Sequence, residues 1–289
     1  MAIIQKILFP VDFSPACAAA APFIRRVADL HSAQLTLLHV IEPFDYSVFE
    51  LYVRPYPQVE ADHRSLAQQR LDSFLKVEFP VEKYSRLLVS GDAATRIAEV
   101  AKDQQFDLIA MPTHSGGLFR RTLLGSTVAK VLNDADCPVL TLQHSEAIAH
   151  RPVEHREIAC SIRMDAEGIR VLRYAGQLAG SVHAHLSVIH IISGSDSDVP
   201  VLFDEAPRVR PVEVQEARRL IDELQRSAGT DAEVRIVVGG IKQAIIDSTK
   251  RFQIDLLVIG RSPESGAIGR LKDLTYALVR DSVCPVLSL

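Results

Sequence analysis

The stretch Phe106-Asp107-Leu108-Ile109-Ala110-Met111 has the apolar character of a buried strand, and the chain carries it twice. It returns 148 residues later as Ile254-Asp255-Leu256-Leu257-Val258-Ile259. Cys137-Pro138-Val139-Leu140 likewise returns as Cys284-Pro285-Val286-Leu287, at an offset of 147 residues. Because the offset is about half of the 289 residues, the sequence predicts two copies of one domain, residues 1–148 and 149–289.

Short apolar runs alternate with longer amphipathic runs in each half. Ile3–Phe9 and Leu35–Ile41 are predominantly apolar stretches, which is typical of strands buried on both faces. Between them, Ser14–His31 has helical spacing, with Ser14 as a suitable N-cap and Pro15 at the first helical position. Alternating strands and helices imply right-handed crossovers. We therefore predict an α/β fold of two tandem domains, each an open five-stranded parallel sheet with helices on both faces.

The remaining elements follow from the same patterns. In the amino half we predict helices at Ala61–Phe74, Ala93–Gln104 and Gly125–Asn133, and strands at Tyr84–Val89, Phe106–Met111 and Val139–Gln143. In the carboxyl half we predict strands at Glu157–Ile162, His185–Ile192, Ala232–Val238, Ile254–Ile259 and Val286–Leu289, and helices near Gly168–Ala179, Val212–Ser227 and Lys242–Arg251. Two connections, 43–58 and 193–211, are long for this fold and are either covers over a site or surface loops.

Composition argues against several classes of partner. The net charge of −4 gives no basic excess for a nucleic acid. No apolar run reaches the roughly 18 residues of a membrane span, and the amino terminus lacks the pattern of a secretory leader, so we expect a cytoplasmic protein. The four cysteines are far apart and are predicted to be reduced and structural. The ten histidines lack metal-ligand spacing, and we expect structural roles for His39 and His190, at equivalent strand positions.

In an open parallel sheet, ligands bind beyond the carboxyl ends of the strands, where the strand order reverses. The first, second and fourth predicted strands of the amino half, with the helix that follows the fourth, supply the candidate residues at this edge. They are Pro10, Asp12, Val40, Met111, Thr113, His114, Ser115, Gly125, Ser126 and Thr127.

These residues have the chemistry of an adenine-nucleotide cleft. Ser126 begins a helix whose free N–H groups and dipole favour an anion, and Gly125 lets the backbone approach a phosphate. Asp12 offers a carboxylate to a ribose hydroxyl or an exocyclic amine, and Val40 and Met111 offer an apolar wall to a flat base. A purely structural interpretation stays open: Gly-Ser is a common helix cap, Met111 suits a core, and Asp12 suits a cap of the first helix.

Three stretches resemble the universal stress protein family: Ile7 to Ser14, Leu37-Leu38-His39-Val40, and Asp107 through Leu124-Gly125-Ser126 to Leu140. The resemblance covers the whole amino half and, more weakly, the whole carboxyl half. It implies five-stranded parallel α/β domains of nucleotide-binding type. It also implies pairing of domains through the last strand, which this chain can satisfy internally as a pseudo-dimer, and a homodimer of two chains is left open.

ATP-binding members of that family carry G-x-x-G, nine residues, and then G-[ST]. Here the spacing is kept but the first motif is Pro112-Thr113-His114-Ser115, so both early glycines are replaced. Pro112 lacks an N–H group, and the Cβ of Ser115 narrows the approach of a phosphate. Gly116-Gly117 gives the turn freedom, and Arg120 and Arg121 add positive charge. The resemblance thus implies ATP, with or without Mg²⁺, in the amino-terminal domain.

The carboxyl half departs further from the family pattern. Ile162 is expected at the position of Asp12, and the loop that starts at Gly260 is one residue shorter than its counterpart. Lys272-Asp273 replaces Gly-Ser at the expected helix start, with Glu264 nearby, so carboxylates would repel a phosphate there. We predict a degenerate domain that serves as a structural partner.

No general base, catalytic triad or catalytic motif stands out in the sequence. We therefore predict a stress-response regulatory protein, not an enzyme, that binds ATP in its amino-terminal domain and acts on an unidentified protein partner, with slow hydrolysis left open. The alternative is a signalling or assembly module that binds no nucleotide. An enzyme that uses ATP to activate a substrate is a third possibility, but its loop motif is missing.

Overall fold

A computed structural model of the 289-residue chain describes residues 4–42, 56–113, 124–143, 155–192, 201–202, 211–261 and 268–289. In the amino half the elements are β1 Lys6–Pro10, α1 Pro15–His31, β2 Gln34–Ile41, α2 Tyr56–Ser73, β3 Ser85–Ser90, α3 Ala93–Asp103, β4 Leu108–Pro112, α4 Ser126–Asp134 and β5 Val139–Leu142. The strand order is β3-β2-β1-β4-β5, and β1 pairs in parallel with β2 and β4. The order therefore reverses between β1 and β4.

The carboxyl half repeats the alternation of strands and helices. Its elements are β6 Glu157–Ser161, α5 Ala166–Val182, β7 His185–Ile192, β8 Val201–Leu202, α6 Pro211–Ala228, β9 Glu233–Val238, α7 Ile241–Arg251, β10 Leu256–Ile259, α8 Ile268–Asp281 and β11 Val286–Ser288. The strand order is β11-β10-β6-β7-β9-β8. Two tandem α/β domains with mostly parallel sheets are thus confirmed.

One strand is an addition to the predicted five. β8 pairs antiparallel with β9 at the edge of the sheet, where Val201 lies opposite Val238. Two residues are too few to show an alternating apolar pattern, so this strand could not be predicted from the sequence.

By its contacts the chain divides into two compact units. One covers Ile4–Val139, and the other covers Leu140–His144 together with Pro152–Leu289. The predicted boundary at residue 148 lies in the stretch 144–154, outside the described residues. That boundary and the pairing of the two halves stay predictions.

The strands are buried on both faces because helices cover each sheet. In the amino half Ile7, Leu8 and Phe9 of β1 have no exposed side-chain surface, and neither does Ile109 of β4. Such continuous burial explains why these strands read as unbroken apolar runs. The polar residue Ser14 ends the first run and caps α1, since its Oγ accepts a hydrogen bond from the Cys17 amide at 3.2 Å.

The aspartate inside the repeated stretch has the same structural role in both halves. Asp107 Oδ2 accepts hydrogen bonds from the amides of Gln5 and Lys6 at 2.8 and 2.9 Å. Asp255 Oδ2 accepts from the amides of Arg156 and Glu157 at 2.9 and 3.0 Å. These amides lie at the start of the central strand of each half. The repeated aspartate therefore ties the start of that strand to the neighbouring strand and fixes their register.

Replacing Asp107 by alanine should lower the free energy of unfolding by about 1–2 kcal/mol, because two hydrogen bonds to a charged acceptor at the solvent-exposed end of the strand are lost. Urea denaturation of the variant measures the loss. Asp103→Ala, at the exposed end of α3, serves as the control and should change stability by less than about 0.5 kcal/mol. Equal effects of the two substitutions would show that Asp107 does not anchor β1.

Candidate functional site

The carboxyl ends of β1, β2 and β4 open into a cavity of about 740 Å³ within the amino-terminal unit. Helices α2, α3 and the start of α4 complete its wall. Seven of the ten predicted site residues line it: Pro10, Asp12, Val40, Met111, Gly125, Ser126 and Thr127. Thr113 is buried beside the cavity, and His114 and Ser115 lie outside the described residues. The cavity lies where the strand order reverses, as expected for ligand sites in this kind of sheet.

The Asp12 carboxylate is held in place directly after β1. Its Oδ1 accepts a hydrogen bond from the Ser14 amide at 2.9 Å and another from the Cys17 thiol at 3.1 Å. Ser14, not Asp12, caps α1, so the structural interpretation of Asp12 as the helix cap is wrong. Two donors on one oxygen fix the orientation of the carboxylate toward the cavity that it lines.

Cys17 is part of this arrangement, although we predicted only a structural role for it. Its side chain is buried and lines the cavity. Burial, and then the negative charge of Asp12, raise the pKa of the Cys17 thiol to about 12. The thiol therefore stays protonated and acts as a hydrogen-bond donor to Asp12, not as a nucleophile.

Helix α4 presents its amino-terminal end to the cavity. Gly125 is its N-cap, in an extended conformation (φ −61°, ψ 141°) and without a side-chain hydrogen bond to the helix. The Gly125 amide itself donates to the Thr113 carbonyl at 3.0 Å, so it is already engaged. The amides of Ser126, Thr127 and Val128 form the first turn, where an α-helix provides no internal acceptor. These three amides, not that of Gly125, are the groups that can bind an anion.

An ion pair holds α4 against α3. Lys130 Nζ lies 2.7 Å from Oδ1 of Asp92 and donates to Thr95 Oγ1 at 3.0 Å. Asp92 is the N-cap of α3 and also accepts from the Thr95 amide at 2.9 Å. Lys130 therefore helps to set the position of α4 relative to the cavity wall formed by Ala93 and Ile97.

His39 lines the cavity beside Val40, although we predicted only a structural role for it. Its Nδ1 lies 2.7 Å from the carbonyl oxygen of Val11. A carbonyl oxygen can only accept, so Nδ1 carries the hydrogen. Burial lowers the pKa of His39 and favours the neutral ring.

His63 and Ala67 of α2 also line the cavity, and no pattern in the sequence indicated which face of α2 points there.

The described part of the cavity lining has an uneven charge distribution. Asp12 and Glu42 supply carboxylates, and no lysine or arginine is among the described residues that line the cavity. Arg120 and Arg121 lie outside the described residues. The positive end of the α4 dipole is therefore the feature of the described lining that favours a negative charge.

In the carboxyl half, the position equivalent to Asp12 is Arg163. Asp165 caps α5 as Ser14 caps α1. When the two caps are aligned, Arg163 is the residue equivalent to Asp12. The expectation of Ile162 at that position is wrong by one residue. Arg163 Nε lies 2.8 Å from Asp165 Oδ2, so a cation paired with the helix cap replaces the carboxylate of Asp12.

A carboxylate also lies at the end of β10, where Gly260 follows the strand. A Cβ atom on Gly260 would come within 2.8 Å of Glu167 Oε1, and Arg170 Nε donates to Glu167 Oε2 at 3.1 Å.

Helix α8 begins at Ile268, so Lys272-Asp273 lies inside the helix and not at its start. The predicted repulsion by Lys272-Asp273 at the helix start is therefore wrong. Arg163 and Glu167 mark the difference between the halves instead.

Two features are absent from the part of the chain that the structure describes. None of the helices there is both long enough and apolar enough to cross a membrane. Within the same residues, no three His, Cys, Asp or Glu side chains come together as metal ligands would.

The chain belongs to the universal stress protein family. The profile of that family matches residues 4–143 and again residues 161–289, which confirms the tandem arrangement. A universal stress protein of Thermus aquaticus is 28% identical over 139 residues, which cover 48% of this chain and 98% of the relative. A universal stress protein of Methanocaldococcus jannaschii is 24% identical over 157 residues, which cover 50% of this chain and 97% of the relative.

A solved structure is similar to both halves together. The crystal structure of a universal stress protein from Archaeoglobus fulgidus gives a TM-score of 0.66 at 16% identity, covering 98% of this chain and 95% of that chain. At this identity the likeness bears on the fold alone.

The buried, protonated state of Cys17 can be tested by alkylation. With a pKa of about 12, only roughly one Cys17 thiol in ten thousand is ionised at pH 8, and the same holds for the buried Cys160. Iodoacetamide should therefore modify the half-buried Cys137 first in the folded protein, as followed by peptide mass spectrometry. Rapid modification of Cys17 would contradict its role as a buried donor to Asp12.

Proposed function

We propose that the amino-terminal domain binds an adenine nucleotide, ATP with or without Mg²⁺, and that the protein acts as a stress-response regulator through this bound state. The observation that carries the proposal is the coincidence of three features in one cavity. They are the reversal of strand order between β1 and β4, the open amino-terminal end of α4 and the fixed carboxylate of Asp12.

Different groups in the cavity lining suit different parts of a nucleotide. The amides of Ser126, Thr127 and Val128 would bind phosphate oxygens, since the helix dipole favours an anion there. Asp12 would accept a hydrogen bond from a ribose hydroxyl or an exocyclic amine. Val40 and Met111 would contact a flat base. A cavity of about 740 Å³ lies within the usual size range of ligand pockets.

Charge balance bears on the metal ion and on the loop after β4. A triphosphate would share the cavity with the carboxylates of Asp12 and Glu42. Mg²⁺ bound to the phosphates would reduce that repulsion, and so would Arg120 and Arg121 if they reach the cavity. The proposal thus includes Mg²⁺ or these arginines as the compensating charge.

The carboxyl-terminal domain is proposed to be a degenerate structural partner, with the boundary between domains near residue 148. Arg163 in place of Asp12 removes the acceptor for a hydroxyl or amine. The Glu167 carboxylate beside Gly260 places a negative charge at the end of β10. We therefore propose one nucleotide per chain, intramolecular pairing of the domains, an unidentified protein partner and a cytoplasmic location.

The second candidate is a signalling or assembly module that binds no nucleotide. Pro112 favours it, because this residue lines the cavity where ATP-binding relatives are expected to carry glycine. Proline provides no N–H group to a phosphate. Neither candidate requires catalysis, and the proposal assigns no catalytic residue.

Gly125→Asp separates the two candidates. The extended conformation of Gly125 accepts any residue, and an aspartate at an N-cap binds the amides of the first helical turn. Its carboxylate would compete with a phosphate for these amides and repel it. The affinity for ATP should fall at least about tenfold, whereas the free energy of unfolding should stay the same or rise by less than about 0.5 kcal/mol. Calorimetric titration and thermal unfolding measure the two quantities.

Gly240→Asp is the matched control. Gly240 is the N-cap of α7 in the carboxyl half, also extended and without a side-chain cap, and a Cβ there meets open space. It should leave the affinity for ATP unchanged. Wild-type affinity in Gly125→Asp would show that the nucleotide does not bind at α4.

A further inference from the structure

The ring of His39 presents one defined nitrogen for binding. Nδ1 donates to the Val11 carbonyl at 2.7 Å, so in the neutral ring the hydrogen is on Nδ1 and Nε2 keeps its lone pair. Nε2 has no hydrogen-bond partner among the described residues, and His39 is one of the residues that line the cavity. His39 therefore offers an acceptor to a ligand, as Asp12 does.

The surroundings of His39 keep the ring in this orientation. The Phe13 ring lies 4.2 Å from the His39 ring, tilted by 38°, and Phe74 packs edge-on against Phe13 at 5.2 Å. The Arg70 guanidinium lies over the Phe13 ring, 4.6 Å from the ring centroid. Phe13 adopts a positive φ of 62°, which is strained for a bulky residue. Strain of this kind is retained where the surrounding structure requires it and is concentrated at functional sites.

The charged and titratable groups around His39 favour its neutral form. Burial, then Arg70 and His63 of α2, lower its pKa, whereas the Val11 carbonyl and Asp12 after β1 raise it. Glu42, at the end of β2, lines the same cavity. The net direction is downward, so Nε2 is an acceptor at neutral pH.

We propose that His39 determines which base the cavity accepts: its Nε2 accepts a hydrogen bond from the 6-amino group of adenine and rejects a 6-oxo purine. A carbonyl oxygen at that position would bring two acceptors together with no hydrogen between them, which leaves a desolvated polar atom unpaired. This inference rests on the proposed adenine-nucleotide function. It identifies His39 as the residue that distinguishes a 6-amino purine from a 6-oxo purine.

The carboxyl half contains a natural control. His190 occupies the position on β7 that His39 occupies on β2, and burial lowers its pKa as well. It lies beside Met164, Ala217 and Leu220, at a separate cavity in the carboxyl-terminal unit. A substitution there makes the same chemical change away from the proposed nucleotide site.

The test compares three nucleotides with the full-length wild-type protein by calorimetric titration: ATP, purine riboside triphosphate, which lacks the 6-substituent, and inosine triphosphate, which carries a 6-oxo group. We expect the affinity to fall in that order, with ATP bound at least roughly tenfold more tightly than inosine triphosphate. This comparison needs no variant.

His39→Asn then assigns the preference to Nε2. The asparagine amide can still donate to the Val11 carbonyl in place of Nδ1 but has no group at the position of Nε2. The ratio of the affinities for ATP and inosine triphosphate should fall to within about threefold of one, whereas His190→Asn should leave the wild-type ratio unchanged.

The outcomes distinguish this inference from the function on which it rests. If none of the three nucleotides binds at millimolar concentration, the proposed function fails and the inference fails with it. If ATP binds but inosine triphosphate binds equally well, the role of His39 is overturned while nucleotide binding stands. The same holds if His39→Asn keeps the wild-type preference.

Discussion

The pairing of β1 with β4 is the constraint on which the candidate site depends. Asp107 fixes it at the start of the strands by accepting two amide hydrogen bonds from the residues that begin β1. Because parallel strands of fixed register end at the same edge, Asp12 after β1 and Met111 in β4 reach the same cavity. The strand order reverses there, so the following helices lie on opposite faces and leave the edge open.

The cavity combines groups of opposite character. The first turn of α4 offers amides and the positive end of a helix dipole, and Lys130 pairs with Asp92 of the neighbouring helix. Asp12 and His39, which also line the cavity, offer acceptors whose geometry is fixed by their own hydrogen bonds. A ligand with an anionic end and a hydrogen-donating end matches this arrangement. An adenine nucleotide is such a ligand, which is why the proposal favours it over a nucleotide-free module.

The comparison of the two halves shows how a duplicated fold can keep its core and change its site. The tie between strands is conserved between halves, since Asp255 repeats the role of Asp107. The residues at the carboxyl edge are not: Arg163 occupies the position equivalent to that of Asp12, and Glu167 lies against Gly260. The aspartates bind backbone amides at the start of the central strand and so affect strand register, whereas Arg163 and Glu167 pair with side chains of their own segment and are freer to change.

The fold could be predicted from the sequence because strands buried on both faces read as unbroken apolar runs and because the chain contains two copies of the pattern. The seven lining residues followed from the rule that strand ends meet at one edge. Arg163 was missed because the sequence pattern predicted the start of this helix near Gly168, whereas the structure shows that Asp165 caps it as Ser14 caps α1. His39 and Cys17 were missed because their hydrogen bonds to Val11 and Asp12 are tertiary contacts that no local pattern encodes.

The most direct test of the account is the number of ATP molecules bound by one full-length chain, measured by calorimetric titration in the presence of magnesium. We predict one ATP per chain, because among the described residues the amino-terminal cavity alone combines the held carboxylate of Asp12 with the start of a helix. Two ATP molecules per chain would contradict the degenerate role of the carboxyl-terminal domain. No binding at millimolar ATP would contradict the nucleotide site itself.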